Sequence, residues 1–205
     1  VETLAEHSDV PVINALSDYA HPCQALADMM TIRSYFPEYV HRPRVAFVGD
    51  GNNVCRSFLL AGAMLGMEIR VATPEGYEPE EDVVAKAREL AAQYAGEVLL
   101  SNDPAEAVRD ADVIYTDVWT SMGQEAEREA RAKAFRSYQV NAELVALAAK
   151  NVRIMHCLPA HRGEEITSDV LDSPNSVVFE QAENRLHAHK ALLVFLLNCH
   201  EAAKG

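Results

Sequence analysis

A buried strand, a tight turn and a helix are encoded at residues 44–65, which read RVAFVGDGNNVCRSFLLAGAML. The apolar run Arg44–Gly49 predicts a strand buried on both faces, because strands covered by helices on both sides lose the alternation of polar and apolar residues. Gly, Asp and Asn then supply a turn, and the apolar spacing from Val54 to Leu65 predicts a helix. A strand that passes directly into a helix is typical of α/β proteins.

The same alternation continues on both sides of this unit. Four more segments rich in β-branched residues predict strands, and helical patterns separate them; the clearest is the apolar stripe that runs from Val83 to Tyr94 with a 3.6-residue period. We therefore predict an α/β protein with a doubly wound, mostly parallel five-stranded sheet and helices on both faces. The strands are placed at Arg44–Gly49, Glu68–Thr73, Glu97–Ser101, Asp112–Thr116 and Arg153–His156, and further helices at Gln24–Tyr35, Asn141–Ala149 and Ala182–Cys199.

The composition indicates a soluble protein that binds neither nucleic acid nor membrane. The 205 residues are 49% hydrophobic, enough for one substantial core, and the formal net charge of −13 opposes binding to phosphate backbones. The longest apolar run, seven residues at 191–197, is far below the roughly 20 that a transmembrane helix needs. Four scattered cysteines predict free thiols in a reducing, cytoplasmic compartment. The charged stretch Gln124–Lys133 is interpreted as a solvated helix face.

Polar loops follow three of the predicted strands. They are GDGNN at residues 49–53, DVWTSMG at 117–123 and HCLPAHR at 156–162. In an open parallel sheet, ligands bind outside the carboxyl ends of the strands, so the three loops converge on one edge. Each loop alone is equally compatible with an ordinary turn, but the three together favour a binding site.

The glycine turn at residues 49–51 fits a dinucleotide site poorly. A third glycine of the phosphate-binding pattern would fall at Val54, and the second strand ends at Thr73 without the acidic residue that holds a ribose. A nicotinamide-dependent dehydrogenase is therefore only an alternative. The side chains of Asn52 and Asn53 suit a small zwitterion instead, because a carboxamide donates to a carboxylate and accepts from an ammonium group.

Two side chains in these loops are candidates for ionic and proton chemistry. Asp117 ends a buried strand, where an ionised carboxylate is costly unless a substrate ammonium group or a turn cap compensates. Cys157 is either a buried apolar residue or, if the charges of His156 and Arg162 lower its pKa, a reactive thiolate. Successive strand residues face opposite sides, so a catalytic pair between His156 and Cys157 is not favoured.

Polar residues near the two ends of the chain add to the candidate site. His21 and Gln24 lie at a predicted helix start, where unpaired backbone N–H groups can meet a ligand. Arg185 lies one turn into the last predicted helix. Taken singly, His21 and Gln24 are equally well explained as a plain helix start. Arg185 alone would be interpreted as a surface salt-bridge partner. His187 and His189 are two residues apart on that helix and do not share a face, which argues against a metal site there.

Five short motifs occur in a fixed order along the chain. They are HPCQ at 21–24, DGNN at 50–53, Asp117 followed by SMG at 121–123, HCLP at 156–159 and AENR at 182–185. In this order they resemble the ornithine carbamoyltransferases, and the resemblance covers essentially all of the chain. The SMG motif and the cysteine of HCLP are similar to the ornithine branch of the aspartate/ornithine carbamoyltransferase family, which differs from the aspartate branch at both places.

The resemblance implies a reaction and a role for each motif residue. The carbamoyl group of carbamoyl phosphate passes to the side-chain amine of L-ornithine, giving L-citrulline and phosphate, with no metal and no organic cofactor. Cys157 is implied as the catalytic residue, beside the attacking amine, as a proton acceptor or relay. The implied ornithine contacts are Asn53, Asp117, Ser121 and Met122, and the implied carbamoyl-phosphate contacts are His21, Gln24, Cys157, Leu158 and Arg185.

The resemblance also implies that most of an amino-terminal carbamoyl-phosphate domain lies outside these residues. Family members bind the phosphate with a Ser-Thr-Arg-Thr-Arg loop, which the 205 residues do not contain. The first residue is Val1, with no initiator Met and no visible targeting leader, so we expect that the chain was cut from something longer. We predict a remnant of that domain with a connecting helix at 1–40, an ornithine-binding α/β domain at 41–180 and a carboxyl-terminal helix at 181–205, which packs back towards the missing domain.

Two functions remain open from the sequence. The first is catalysis in arginine metabolism by a longer form, which the resemblance implies to be a homotrimer or a multiple of it, with this chain alone expected to be inactive. The second is a non-catalytic, amino-acid-binding or regulatory protein of the same fold. Biosynthetic and catabolic members share these residues, so the direction of the reaction is also open. The expected partners are the two small-molecule substrates.

Overall fold

A computed structural model describes residues 1–37, 42–120 and 125–202 of the chain. Five strands alternate with helices along most of this length, as the sequence predicts. Two turns of 3₁₀-helix, Glu125–Glu127 and Arg136–Tyr138, flank the helix Arg128–Phe135. The elements are α1 (Glu2–Glu6), α2 (Pro22–Tyr35), β1 (Arg44–Val48), α3 (Asn53–Met64), β2 (Glu68–Ala72), α4 (Glu81–Gln93), β3 (Glu97–Ser101), α5 (Pro104–Val108), β4 (Val113–Thr116), α6 (Arg128–Phe135), α7 (Ala142–Val145), β5 (Arg153–His156), α8 (Ser168–Leu171) and α9 (Val178–Ala202).

The strands form one parallel sheet in the order β3-β2-β1-β4-β5. Val45 of the central strand β1 is in register with Ile69 on one side and Val113 on the other. This arrangement confirms the predicted sheet, and every strand pair is parallel. The strand order reverses between β1 and β4, and a crevice opens at such a switch point outside the carboxyl ends of the strands.

Helices cover both faces of the sheet, and successive residues of β1 contribute to two separate cores. Phe47 faces the core that contains Phe58 and Tyr115, and the Phe47 and Tyr115 ring centroids are 5.2 Å apart. Its neighbour Val48 faces the other core, which contains Trp119. The alternation of side chains along a strand therefore explains why an unbroken apolar run serves both layers.

Several helix boundaries differ from the prediction. The predicted helix Asn141–Ala149 is only the single turn α7, although Asn141 caps it as expected and accepts a hydrogen bond from the Leu144 N–H at 2.9 Å. Helices α2 and α9 begin two and four residues earlier than predicted. Among the described residues, no helix is both long enough and apolar enough to cross a membrane.

Helix α6 corrects the interpretation of the charged stretch at residues 124–133. Residue 124 lies outside the described residues, but Arg131 is only 4% exposed and forms an ion pair with Asp50 in the turn after β1. Its guanidinium also donates to the Trp119 carbonyl and lies over the Tyr77 ring, 4.9 Å from the centroid. Residues 126–130 and Lys133 are exposed, as the interpretation requires, whereas a solvated helix face is the wrong description of Arg131, because the turn beside it supplies a buried carboxylate.

The first and last long helices pack against each other. Asn184 of α9 donates to the Thr31 hydroxyl of α2 at 2.9 Å, and both side chains are buried. This contact joins two parts of the chain that lie 153 residues apart. It brings the start of α2, with His21 and Gln24, next to Arg185 of α9. The domain boundaries at residues 40 and 180 stay a prediction.

Candidate functional site

The loops after β1, β4 and β5 meet at the carboxyl edge of the sheet, and Asp117 is where they join. Its carboxylate is only 5% exposed and accepts three hydrogen bonds. The donors are Cys157 Sγ at 2.9 Å, Asn52 Nδ2 at 2.7 Å and the Val118 N–H at 2.8 Å. One donor therefore comes from each of the three loops, as the predicted convergence of the loops requires.

The two asparagines after β1 have different tasks. Asn52 caps α3, where its Oδ1 accepts from the Val54 and Cys55 N–H groups at 3.0 and 3.1 Å, and its Nδ2 holds Asp117. Asn53 Nδ2 donates instead to the Ser17 carbonyl at 2.7 Å. A carboxamide nitrogen carries two protons, so Asn53 keeps one for a ligand. Sequence reasoning assigned a ligand-binding role to both asparagines and missed Asn52 as the residue that orients Asp117.

The Cys157 thiol is protonated and donates to Asp117. Burial raises the pKa of Cys157 well above its usual value, and the negative charge of Asp117 and the hydrogen bond to it raise it further. The proposed lowering of this pKa by His156 and Arg162 is wrong. Arg162 is exposed and forms a two-pronged ion pair with Asp172, at 2.6 and 2.8 Å.

His156 holds the loop that carries Cys157. Its Nδ1 accepts a hydrogen bond from the Leu158 N–H at 2.8 Å, so the ring proton lies on Nε2, which donates to Glu165 Oε1 at 3.1 Å. Both side chains are completely buried. Glu165 also accepts from the His161 N–H and so ties both ends of the loop together. The sequence offered no signal for Glu165, because nothing in its spacing marks it as a partner of His156.

The second half of the site lies at the start of α2. Gln24 is buried, and its Oε1 accepts a hydrogen bond from Arg185 Nη1 at 2.6 Å. The His21 N–H donates to the Ser57 hydroxyl at 2.8 Å, and the buried His21 Nδ1 has no hydrogen-bond partner among the described residues. The structure thus brings His21, Gln24 and Arg185 together, although Gln24 and Arg185 are 161 positions apart in the sequence.

The electrostatics of this half favour a neutral histidine. Burial lowers the pKa of His21, and the positive charge of Arg185 lowers it further, against smaller opposite effects of a backbone hydrogen bond to Ala15 and of the Asp117 charge. His21 therefore offers a neutral imidazole with a free nitrogen, and Arg185 supplies the positive charge. The guanidinium can donate hydrogen bonds to a carbonyl oxygen that gains negative charge during a reaction, and the imidazole, with its single ring proton, can donate at most one.

Three potential metal ligands lie close together at the site, but each already takes part in hydrogen bonds. One atom each of Asp117, His156 and Cys157 lies within 4.8 Å of the others. Thiols bind metals as thiolates, and the raised pKa of Cys157 opposes that form. His156 uses both ring nitrogens for the contacts described above. Among the residues that the structure describes, these three side chains therefore belong to the hydrogen-bond network of the loops.

Two predicted ornithine contacts, Ser121 and Met122, lie outside the described residues. Leu158 follows Cys157 with a left-handed φ of 55°, and its peptide bond to Pro159 is cis. The contact of the Leu158 carbonyl group with the carbamoyl group of a substrate stays a prediction, as do the ligand-binding roles of the other site residues.

Comparison with known proteins gives a consistent result over the whole chain. A family model described as the Asp/Orn binding domain of aspartate/ornithine carbamoyltransferase matches residues 42–196, and the carbamoyl-P binding domain of the same family matches residues 1–34. The ornithine carbamoyltransferase of Pyrococcus horikoshii and the anabolic one of Pyrococcus furiosus are both 59% identical to the chain over 197 residues. These alignments cover 96% of this chain and 62% of each relative, so the chain spans about 62% of their length.

Solved structures are similar in the same way. An ornithine carbamoyltransferase structure from Pyrococcus furiosus is 58% identical, with a TM-score of 0.92 over 96% of this chain and 63% of that one. An anabolic ornithine carbamoyltransferase from Campylobacter jejuni is 40% identical, with a TM-score of 0.91 over 96% of this chain and 66% of that one.

Proposed function

This chain belongs to the aspartate/ornithine carbamoyltransferase family, and from that premise we propose that it is the greater part of an ornithine carbamoyltransferase. The reaction would transfer the carbamoyl group of carbamoyl phosphate to the side-chain amine of L-ornithine, giving L-citrulline and phosphate. The observation that carries the proposal is the Asp117 carboxylate, which holds the Cys157 thiol at the edge of the sheet, where His21 interacts with the charges of both Asp117 and Arg185.

The ornithine end of the proposed site needs a counter-ion and hydrogen-bond donors. Asp117 supplies a buried negative charge for an ammonium group, and Asn53 retains one amide proton for the carboxylate. Ser121 and Met122 complete this end in the proposal. Asn52 keeps Asp117 in place and frees the other carboxylate oxygen for Cys157.

The Asp117–Cys157 pair would handle the proton of the attacking amine. An alkyl amine with a reference pKa of about 10.4 arrives protonated and must lose a proton before it attacks. Since the thiol is itself protonated, it can act only as a relay, in which Sγ takes the amine proton while its own proton passes to Asp117 Oδ1. The neutral amine then attacks the carbamoyl carbon, the bond from that carbon to the phosphate oxygen breaks, and the leaving phosphate takes the second amine proton, which gives citrulline and hydrogen phosphate.

The carbamoyl end would be held by His21, Gln24, Arg185 and the Leu158 carbonyl. The guanidinium of Arg185 and the neutral imidazole of His21 would donate to the carbamoyl oxygen as it becomes negative. The Gln24 and Leu158 oxygens would accept from the carbamoyl NH₂ group. In this arrangement, the hydrogen-bond donors meet the carbamoyl oxygen and the acceptors meet the carbamoyl NH₂ group.

The remaining proposals concern the whole protein. We propose a homotrimer or a multiple of it for the longer form, a cytoplasmic location and a biosynthetic role in arginine formation. The four free thiols support the reducing compartment, and the relatives named as anabolic support the direction. The decisive test of the activity uses a fused chain, in which the amino-terminal carbamoyl-phosphate region of the Pyrococcus furiosus relative precedes residues 1–205.

Asp117→Asn in the fused chain is expected to weaken ornithine binding at least about tenfold, because a buried charge-assisted hydrogen bond contributes roughly 1.5 to 3 kcal/mol. The substitution keeps the shape of the side chain and removes the counter-ion. Isothermal titration with ornithine, in the presence of carbamoyl phosphate or a non-reactive analogue of it, measures the change. Asp112→Asn is the matched control, since Asp112 lies at the opposite end of β4 and accepts from the Arg44 N–H. Equal ornithine affinities for the Asp117 variant and the wild type would remove Asp117 from the site.

Cys157→Ser is expected to lower turnover by at least about tenfold, because a serine hydroxyl relays a proton poorly, while the affinity for carbamoyl phosphate stays nearly intact. Steady-state kinetics with each substrate varied in turn separates the two effects. Cys199→Ser, the same change at an exposed thiol of α9, is the control. Mass spectrometry of the protein during turnover tests the mechanism. Detection of a carbamoylated Cys157 would show a covalent intermediate and contradict direct attack by the amine.

A further inference from the structure

Asp28, in the second turn of α2, is a completely buried carboxyl group that accepts three side-chain hydrogen bonds. Gln24 Nε2 donates at 2.8 Å, Gln181 Nε2 at 2.7 Å and the Tyr115 hydroxyl at 3.0 Å. None of the motifs identified in the sequence assigns a role to Asp28. The donors come from α2, α9 and β4. The first two carry residues of the candidate site, and Asp117 directly follows the third.

The partners of Asp28 lead to both halves of the site. Gln24 Oε1 accepts from Arg185, and Gln181 Oε1 accepts from the His156 N–H at 3.0 Å, one residue before Cys157. Tyr115 lies on β4, two residues before Asp117. Asp28 therefore links the elements α2, α9, β4 and β5 through side chains that are all buried.

The Asp28 carboxyl decides which end of the Gln24 amide faces the site. The two ends of a carboxamide have nearly the same shape, so packing alone does not distinguish them. With Nε2 on Asp28, the oxygen meets Arg185. The opposite orientation would place the amide oxygen against a carboxyl group and the amide N–H₂ against a guanidinium, and two favourable contacts would become two repulsive ones.

We propose that Asp28 is a positioning residue, which holds the Gln24 carboxamide with its oxygen towards Arg185 and the carbamoyl group of the substrate. The inference rests on the proposed function, because it takes the carbamoyl NH₂ as the group that Gln24 meets. A carbonyl oxygen has two lone pairs, so Gln24 Oε1 can accept from Arg185 and from the substrate amide together. Without Asp28 only the contact with Arg185 opposes rotation of the amide, so the amide is held less firmly against turning and presenting a donor where the substrate also has a donor.

Geometry, and not charge, is what the role requires. Burial raises the pKa of Asp28 to about 7, against the lowering effect of its three hydrogen bonds and of the Arg185 charge. A protonated Asp28 still offers one oxygen to the two glutamines and donates its proton to the Tyr115 oxygen. Asn can make the same set of contacts, with Oδ1 towards the glutamines and Nδ2 towards Tyr115. Asp28→Asn should therefore restore what an apolar replacement removes.

Kinetics of five variants in the fused chain, four single and one double, test the proposal. We expect Asp28→Leu to lower kcat/KM for carbamoyl phosphate at least thirtyfold and Asp28→Asn to stay within fivefold of the wild type. Thr31→Val is the matched control: it removes the other buried α2–α9 hydrogen bond, to Asn184, without contacting Gln24, and should stay within threefold. In a Gln24→Leu background, Asp28→Leu should cause little further loss, because Asp28 acts through Gln24. If Asp28→Leu does not fold, Asp28→Ala, which admits water, replaces it.

A second measurement does not depend on turnover. It uses nitrogen-15 NMR spectra of the 205-residue chain. The side-chain amide signals of Gln24 are assigned as the signals that disappear in the Gln24→Leu variant. They should keep their positions in Asp28→Asn and Thr31→Val and move or broaden in the apolar variant at residue 28. A fused wild-type chain that forms no citrulline would overturn the proposed function, and the amide signals would still decide the inference. Unmoved Gln24 signals, or equal kcat/KM values for Asp28→Leu and Thr31→Val, would overturn the role of Asp28.

Discussion

Residues 1–205 alone are expected to form citrulline at least about a thousandfold more slowly than the fused chain, because the lost charge-assisted contacts contribute roughly 1.5 to 3 kcal/mol each. The proposed site residues address only the carbamoyl end of carbamoyl phosphate. In the family that the chain resembles, the phosphate is held by a Ser-Thr-Arg-Thr-Arg loop, a sequence that these residues do not contain. Three or more missing phosphate contacts account for the expected factor.

The overall charge adds to this effect. A net charge of −13 repels a dianionic substrate, and Arg185 alone does not replace a phosphate site built from backbone N–H groups and arginines. A colorimetric citrulline assay on both chains, with the isolated amino-terminal region as the control, measures the difference. Turnover by the 205-residue chain within about tenfold of the fused chain would mean that other residues of this chain anchor the phosphate.

The same assay separates the two functions that the sequence leaves open. A fused chain that binds ornithine by calorimetry and forms no citrulline would support the non-catalytic, amino-acid-binding alternative. A fused chain that binds neither substrate would argue against both. Citrulline formation that Cys157→Ser lowers and Cys199→Ser does not would place the activity at the site described above.

Arg131→Met is expected to reduce the free energy of unfolding by about 3 to 5 kcal/mol at pH 8, because it leaves a buried carboxylate without its partner. Arg131 pairs with Asp50 in the turn that precedes α3, and both side chains are buried. Guanidinium unfolding followed by the fluorescence of Trp119, the single tryptophan, measures the loss. Arg128→Met is the control, since the Arg128 side chain is 62% exposed and pairs with Glu164, a contact worth only about 0 to 1 kcal/mol.

The loss should be smaller at low pH. Burial raises the pKa of Asp50 to about 6 in the folded chain, although Arg131 opposes this shift. A carboxyl group whose pKa is raised by folding binds its proton more tightly in the folded state, so stability falls as the pH rises through that range. Without Arg131 the folded pKa rises further, and the additional loss appears mainly above pH 6. A loss under about 1 kcal/mol at pH 8, or an equal loss at pH 5 and pH 8, would contradict a structural role for this ion pair.

Much of the fold could be predicted from the sequence because it follows from local patterns. Strands such as Glu97–Ser101 and Arg153–His156 match their predicted bounds, since an apolar run between turn residues has few other structures open to it. Parallel strands then bring their carboxyl ends to one edge, which is why the loops with Asn52, Asp117 and Cys157 could be expected to meet. Short elements such as α5 and α8 were missed, because single helical turns carry too little periodicity to be recognised.

The chain by itself determined the sheet, the three converging loops and the set of polar residues available to a site. Only the tertiary structure decided which of those residues touch. Gln181 meets Asp28 across 153 positions, Tyr115 meets it across 87, and Arg131 meets Asp50 across 81. The state of the Cys157 thiol was decided in the same way, by burial and by the carboxylate that faces it. Local spacing restricts the backbone, whereas the energy of a buried polar group depends on the solvent it loses and the partner it finds, and both are known only once distant segments have packed together.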